Sequence, residues 1–104
     1  MILKIDSSDN KKVSVDLLEK DRKVDTMYSD SLILKSEAIL ILIDKILKKN
    51  KLSLGNIEKI EVNEGPGSYT GLRVGAAIAN ALGFLLKVPV NGKVGELVNP
   101  VYNK

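Results

Sequence analysis

Alternation of apolar and polar residues predicts three strands in the first third of the chain. A short apolar run at Ile2 to Asp6, an alternating stretch at Val13 to Leu18 and a weaker one at Lys23 to Tyr28 each fit a strand. Polar turn residues separate the three stretches. The pattern therefore indicates three strands joined by tight turns into an antiparallel meander.

The pattern changes to helical periodicity in the middle of the chain. The segment from Ile33 to Asn50 is too long for a strand, and Glu37, Asp44 and Lys48 fall on one strip of a helix. The residues from Ala38 to Ile43 are all apolar and, at about 100° per residue, extend nearly all round the axis. A helix that covers one sheet needs an apolar stripe only about 100° wide. This helix therefore has more apolar surface than one sheet can bury.

A fourth strand, a glycine-rich loop, a second helix and a short fifth strand follow. The strand lies in Ile57 to Val62, the loop at Gly65 to Thr70, and the helix from Thr70 to about Leu86. We expect Val88 to Val90 to be a strand, at an edge because Pro89 lacks an N–H. The order strand-strand-strand-helix-strand-helix-strand predicts an α/β fold with a mixed five-stranded sheet. By analogy of element order, this is the half-domain of the ribonuclease H-like and actin-like (ASKHA) folds.

Composition fits one soluble domain and excludes several kinds of chemistry. The chain has 104 residues, of which 44% are hydrophobic and 28% charged. It contains no cysteine and no histidine, which removes disulfides, thiolate nucleophiles and the commonest acid–base group. We find no signal-like start and no apolar segment of the roughly 20 residues that a membrane span needs. We therefore expect a cytoplasmic protein with no metal, no cofactor and no membrane partner.

The net charge of +3 is mild, and much of the excess lies in one cluster. Lys45, Lys48, Lys49 and Lys51 sit at the end of the first predicted helix. One interpretation is a solvated helix end, where lysines interact favourably with the helix dipole. The other is a weak patch that faces tRNA phosphates. The sequence leaves both open.

The glycine-rich loop has two interpretations as well. A strand-to-helix turn with two glycines presents free N–H groups at a helix start, which favours anions. Alternatively, the glycines only let strand and helix pack closely. The loop is not a P-loop, because no lysine followed by Ser or Thr comes after its glycine. Candidate residues near an anion or a nucleotide are Gly65, Gly67, Ser68, Thr70 and Arg73.

Four stretches of the chain resemble the TsaB (YeaZ-like) family. Gly65 to Gly75, with the sequence GPGSYTGLRVG, is similar to the family's signature loop. Ile2 to Ser8 resembles the family's first strand, with Ser7 in place of the usual threonine. Ser36-Glu37 resembles the start of its first helix, with Lys35 in place of the usual histidine, and Val88 to Val90 resembles its next strand. The resemblance extends to about residue 92.

The resemblance implies a fold, a role and partners. We expect residues 1–92 to form the family's amino-terminal domain and residues 93–104 a tail with a weak helical tendency, the second domain being absent. TsaB resembles the catalytic subunit TsaD but lacks its metal and nucleotide chemistry. It pairs with TsaD through two helices in tRNA threonylcarbamoyladenosine biosynthesis, together with TsaE and TsaC. The resemblance thus implies a non-catalytic subunit that binds a TsaD-like subunit, with TsaE as a candidate third component and tRNA bound only indirectly. The alternative is a homodimer, in which a second copy substitutes for the missing half.

The second helix has two apolar faces, which supports docking. We assign Val74, Ile78, Leu82, Leu85 and Leu86 to the sheet and expect the opposite face to be free. Small residues at four-residue spacing (Gly71, Gly75, Ala79, Gly83) are expected to let another helix approach closely. The alternative is that the chain's own tail covers the outer face. The expected partner-binding residues are Ser36, Glu37, Leu40, Ile41, Arg73, Ala76, Ala77, Asn80 and Phe84.

Asp6 at the end of the first strand is the one candidate for enzyme chemistry. In actin-like ATPases an aspartate there helps to hold the metal–phosphate group. The alternative is that Asp6 closes the turn through local hydrogen bonds. A minimal nuclease, an ATPase or a glycoprotease remains a third hypothesis, although a two-metal nuclease needs several acidic ligands. We predict no catalytic residue.

Overall fold

The computed structural model describes residues 1–9, 11–30 and 35–100, and the elements follow the predicted order as far as the second helix. The strand and helix starts and ends agree with the sequence pattern to within a few residues, but the expected start of the first helix at Ile33 lies outside the described residues. A short 3-10 turn precedes the fourth strand. The elements are β1 (Ile2–Asp6), β2 (Val13–Glu19), β3 (Arg22–Ser29), α1 (Lys35–Lys49), the turn Leu54–Asn56, β4 (Lys59–Val62) and α2 (Tyr69–Leu86).

The strands form one mixed sheet in the order β3-β2-β1-β4. β2 pairs antiparallel with β1 and with β3, whereas β4 pairs parallel with β1. Because side chains alternate between the faces of a strand, one face buries Leu3, Ile5 and Leu17. On the other face Lys4 lies in register between Asp16 and Glu61. The sheet therefore has a single apolar face, and both helices pack on it.

Both helices begin at the end of the sheet where β1 and β4 end, and they run side by side in the same direction. α1 packs against β2 and β3, and α2 packs against β4 and β1. At the end of α1, the Asn50 side chain donates to the Ile46 carbonyl at 2.7 Å and to the Asp25 carboxylate at 2.9 Å. Lys49 forms an ion pair with the same carboxylate at 3.2 Å. These contacts fix the end of α1 to β3.

The expected fifth strand is wrong in extent, since the sheet has four strands in the part of the chain that the structure describes. Val90 forms only isolated bridges, one of them parallel to Ile60. Asn91 follows with a left-handed φ of 49°, which ends the extended backbone. The Asn91 side-chain amide continues the hydrogen bonding to β4: Oδ1 accepts from the Val62 N–H at 2.8 Å, and Nδ2 donates to the Val62 carbonyl at 3.0 Å. An amide side chain thus replaces the strand's next peptide group.

The segment after residue 92 packs on α2 without forming a helix, so the predicted helical tendency near Val94 to Val98 is wrong. Asn80 donates to the Val98 carbonyl at 3.1 Å and accepts from the Val98 N–H at 2.9 Å. Val98 itself is buried. Asn80 therefore anchors this segment to the helix.

Candidate protein-docking surface and glycine-rich loop

The glycine-rich loop packs directly on the turn that follows β1. The Ser68 N–H donates to the Ser8 carbonyl at 2.8 Å, which holds the loop and the turn together. A Cβ atom on Gly67 would lie 2.6 Å from that carbonyl oxygen, so only glycine fits there. Gly65 has a φ of 113°, a conformation that L side chains rarely adopt. The loop's glycines are therefore explained by close packing and backbone conformation.

The small residues of α2 pack on the domain itself, which corrects their expected role in admitting a partner helix. The buried hydroxyl of Ser7 donates to the Gly71 carbonyl at 2.6 Å. A Cβ on Gly71 would lie 2.0 Å from the Ser7 carbonyl oxygen, and one on Gly75 would lie 2.1 Å from the Ser7 Oγ. A Cβ on Gly83 would similarly meet the Val90 side chain at 2.3 Å. The small residues of α2 therefore let this helix pack closely against the end of β1 and against the segment that follows α2.

The start of α2 is capped from within the chain. Ser68 is the N-cap residue, and its hydroxyl accepts from the Gly71 N–H at 3.4 Å. Gly65, Gly67 and Ser68 are half-buried, whereas Thr70 is exposed in the first turn. The Lys35 ammonium also lies here, because a Cβ on Gly71 would meet its Nζ at 2.8 Å. From the sequence, Lys35 is recognised only as the residue before Ser36, in place of the family's usual histidine, and no local pattern predicts its position beside Gly71.

Asp6 is engaged by its neighbours, which confirms the interpretation that it closes the turn. Its Oδ1 accepts from the Ser8 N–H at 3.0 Å, from the Ser8 hydroxyl at 2.6 Å and from the Asn63 amide at 3.3 Å. Burial raises the pKa of Asp6, but the hydrogen bonds from Ser8 and Asn63 outweigh it and hold the pKa below its ordinary value. Within the described ranges, no group of three His, Cys, Asp or Glu residues is placed to hold a metal ion.

The outer faces of the two helices expose large apolar side chains. On α1, Leu40 is 52% exposed and Ile41 is 44% exposed. On α2, Phe84 is 86% exposed and Leu85 is 70% exposed. Ser36 is half-buried and Glu37 is exposed at the start of α1, and Arg73 and Ala77 are exposed on α2. We call the exposed set the outer helical surface: Glu37, Leu40, Ile41, Tyr69, Thr70, Arg73, Ala77, Phe84 and Leu85.

Three of the expected partner-binding residues do not lie on this surface, and the first of them, Ser36, is half-buried. Ala76 is only 5% exposed, because it lies on the buried side of α2 beside Leu72, Gly75 and Ala79. Asn80 is half-buried, and its amide is occupied by Val98. Conversely, Leu85 was assigned to the sheet but is exposed, while Val74, Ile78, Leu82 and Leu86 are half-buried against the core. The tail thus covers one side of α2 and leaves the rest of its outer face open.

An open groove of about 310 Å³ lies along the first half of α2. The Arg73 guanidinium lies over the Tyr69 ring, 5.6 Å from its centroid. Tyr69 is 57% exposed and was missed in the sequence, although its four-residue spacing from Arg73 signals such a pair. Tyr69, Thr70, Arg73, Val74 and Ala77 line the groove.

α2 is unusually apolar for a helix with so much open surface. By length and composition alone it is long and apolar enough to cross a membrane, which the sequence analysis expected of no segment. Only 33% of that stretch is buried in the domain. A single such helix is weak evidence for a membrane span, since core helices pass the same test. Its significance here is that α2 has apolar surface that the domain does not cover.

Comparison with known proteins gives one consistent set of relatives. Residues 34–93 match the family model described as "TsaD: tRNA N6-adenosine threonylcarbamoyltransferase". The "tRNA threonylcarbamoyladenosine biosynthesis protein TsaB" of Haemophilus influenzae is 44% identical over 55 residues, which are 53% of this chain and 23% of the relative. The protein of the same name from Buchnera aphidicola subsp. Baizongia pistaciae is 35% identical over 85 residues, 73% of this chain and 34% of the relative.

The fold comparison agrees. The solved structure of YeaZ from Pseudomonas aeruginosa superposes with a TM-score of 0.76 at 28% identity, and the match covers 86% of this chain and 41% of that one. A "tRNA N6-adenosine threonylcarbamoyltransferase" from the same Buchnera subspecies is also 41% identical over 68 residues, 62% of this chain and 20% of the relative. The chain therefore spans between about a fifth and two-fifths of the length of these relatives.

Proposed function

Because the chain belongs to the family of the tRNA N6-adenosine threonylcarbamoyltransferase TsaD and is TsaB/YeaZ-like within it, we propose that it is a non-catalytic subunit of tRNA threonylcarbamoyladenosine biosynthesis. It binds a TsaD-like subunit through the outer helical surface, with TsaE as a candidate third component. The names of the relatives support the process, and both TsaB and TsaD proteins are among them. The bacterial tRNA-modification relatives support a cytoplasmic location.

The observation that carries the proposal is the apolar surface left open on two adjacent helices. Burying a large aliphatic or aromatic side chain contributes about 1.5–3 kcal/mol. Leu40, Ile41, Phe84 and Leu85 are all at least 44% exposed. Exposed apolar patches of this kind mark protein interfaces. Two parallel helices with open faces fit a partner that presents helices of its own.

The absence of a catalytic role is supported by the residues themselves. The chain has no histidine and no cysteine, and Asp6 is held by three hydrogen bonds. The loop from Gly65 to Thr70, with Arg73 beside it, lies at one end of the outer helical surface. We propose that a nucleotide or other anion bound by the partner lies near Gly65, Gly67, Ser68, Thr70 and Arg73.

A homodimer is the second candidate, because the outer helical surface is available to a second copy of this chain. Two-fold pairing would place the same helices against each other. Light scattering of the chain alone and of its mixture with a TsaD-like subunit separates the two. We expect the heterodimer to form at the expense of any homodimer.

Co-expression with the TsaD-like subunit of the same organism tests the proposal. Leu40→Glu and Ala77→Glu each place a charge on the outer helical surface, and we expect each to abolish co-purification. Val24→Glu is the matched control, because Val24 is 44% exposed but lies on β3, and it should co-purify like the unaltered chain. Circular dichroism must show that all three variants are folded. Undiminished co-purification of folded Leu40→Glu and Ala77→Glu would refute the proposed surface.

A further inference from the structure

Cationic side chains gather at the end of the sheet opposite the glycine-rich loop. β1, β3 and β4 begin at this end, and β2, α1 and α2 end there. We call the exposed cations there the basic end: Lys20, Arg22, Lys48, Lys51, Lys59 and Lys87. Lys48 forms an ion pair with Asp44 at 3.0 Å, and Glu58 forms one with the amino terminus of Met1 at 3.6 Å. Outside these two ion pairs, the basic end has five cations against two carboxylates, Glu19 and Asp21.

Three of these lysines occupy backbone positions that favour other residues. Lys20 and Lys51 each have a φ of 57°, and Lys87 has a φ of 58°. Glycine adopts this left-handed conformation at no steric cost, and asparagine is the commonest alternative. The three lysines lie just after the ends of β2, α1 and α2, where glycine or asparagine is the usual residue. Local conformation thus does not explain lysine at these three turns. The helix dipole also favours a cation at Lys51 and Lys87, but Lys20 follows a strand, so a need for positive charge at this end of the sheet is what all three share.

The same lysines are free to bind a ligand. Among the residues that the structure describes, Lys20, Lys51 and Lys87 are all exposed and none of them forms an ion pair. By contrast, Lys49 is held by Asp25 at 3.2 Å and contributes to the fold. In the lysine cluster at the end of α1, Lys49 thus holds the fold, Lys48 pairs with Asp44 at 3.0 Å, and Lys51 is available to a ligand.

We propose that the basic end binds the phosphate backbone of RNA directly, an inference that rests on the proposed function in tRNA modification. Four strands at about 4.8 Å spacing give this end a width of about 14 Å, and the helix layer adds depth. Nucleic-acid strands carry phosphates every few ångströms, so a surface of this width faces several of them. Lysine ammonium groups neutralise phosphates without reading bases, and binding is therefore independent of sequence. The protein contacts tRNA itself in addition to its partner.

The test is the affinity of the full chain for an unmodified tRNA transcript, measured by fluorescence anisotropy over a series of salt concentrations. The variant Lys20→Asn, Lys51→Asn, Lys87→Asn removes the three charges and suits the left-handed backbone, so its midpoint of thermal unfolding should not fall. We expect its dissociation constant to rise about tenfold or more, and the slope of log K against log salt to decrease in magnitude by about 3.

The matched control is Lys11→Asn, Lys12→Asn, which removes two charges at the opposite end, just before β2, and is compared with the two-charge variant Lys20→Asn, Lys87→Asn at the basic end. The control should bind tRNA within about twofold of the unaltered chain, because exposed charges beyond about 10 Å are screened at physiological salt. An equal loss of tRNA affinity in both variants would overturn the proposal, since net charge alone would then explain the binding. Retention on phosphatidylglycerol vesicles without tRNA binding would also overturn it. Co-purification with the TsaD-like subunit is measured in parallel, so that failure here is distinguished from failure of the proposed function.

Discussion

Replacing Gly75 by alanine tests whether α2 packs on the end of β1 as closely as the structure shows. Alanine favours a helix interior over glycine by about 1 kcal/mol, so helix propensity alone predicts stabilisation. The new Cβ would lie 2.1 Å from the Ser7 Oγ, a distance that real Cβ contacts essentially never show. Overpacking costs about 1–3 kcal/mol, and loss of the Ser7–Gly71 hydrogen bond costs about 1 kcal/mol more. We expect Gly75→Ala to lower the free energy of unfolding by about 1–3 kcal/mol.

A double-mutant cycle isolates the contact. Ser7→Ala removes the hydroxyl and should cost about 1 kcal/mol by itself through the lost hydrogen bond. In that background the new Cβ meets the residue-7 Cβ at 3.3 Å and the Val62 Cγ2 at 3.5 Å, so Gly75→Ala should be close to neutral. The coupling between the two substitutions is then about 2 kcal/mol. The assay is urea unfolding followed by far-UV circular dichroism.

A matched glycine substitution provides the control. At Gly55 an added Cβ would have its nearest neighbour, the Ser53 Oγ, at 3.7 Å, so Gly55→Ala should change stability by less than about 0.5 kcal/mol. Stabilisation by Gly75→Ala alone, or additivity of Ser7→Ala and Gly75→Ala, would refute the packing of the small-residue face against the turn after β1.

Three further predictions concern the fold. The pKa values of Asp6 and Asp25 are lowered from the ordinary value of 3.8, so these two carboxylates stabilise the fold above that pH, and their contribution is lost as the pH falls through the folded-state values. Acid unfolding monitored by circular dichroism should show this loss. Asp25→Asn should make the stability of the protein less dependent on pH. Asn91→Gly keeps the left-handed backbone but removes the amide that continues the sheet, and urea unfolding should show a loss of about 1–3 kcal/mol; unchanged stability would mean that the amide contributes nothing. Ala76→Glu should unfold the chain or lower its thermal midpoint sharply, whereas Ala77→Glu should leave the midpoint nearly unchanged, because Ala76 is buried and Ala77 is exposed; equal midpoints would contradict the assigned faces.

The strands and α1 could be predicted because their hydrophobic patterns differ in length and spacing. Val13, Val15 and Leu17 alternate with half-buried neighbours, and all three are buried as their spacing requires. In α1, the apolar run is wider than one face, and the structure leaves Leu40 and Ile41 exposed as the width indicated. In β2 the hydrophobic pattern alone decides which side faces the core, whereas in α1 it indicated only that some apolar side chains would stay exposed.

The orientation of α2 could not be predicted, because nearly its whole circumference is apolar or small. Hydrophobicity favoured placing the largest side chains, such as Leu85, against the sheet. The decisive constraint is the close approach of α2 to the buried Ser7, which only Gly71 and Gly75 permit. That constraint arises between residues more than sixty positions apart, so no local pattern reveals it.

Two features near the end of the chain each depend on one polar side chain: the edge of the sheet beside β4, and the position of the segment that packs on α2. The extended residues before Asn91 look like a strand, but the Asn91 amide replaces the backbone at the next position of the ladder. Asn80 on α2 looked like an exposed polar residue for a partner, and it binds Val98 instead. In each case an asparagine finds a backbone partner that is distant in sequence, which periodicity cannot show.

The absence of cysteine from this chain allows a direct test of the outer helical surface. A single Ala77→Cys substitution, labelled with a benzophenone photo-crosslinker, reports which molecule lies against α2; Val24→Cys, labelled in the same way, reports on β3. Irradiation of each labelled variant mixed with the TsaD-like subunit, followed by mass spectrometry, is the measurement. We predict a covalent heterodimer from Ala77→Cys and none from Val24→Cys. Cross-linking only from Val24→Cys, or equally from both positions, would contradict docking through the outer faces of α1 and α2.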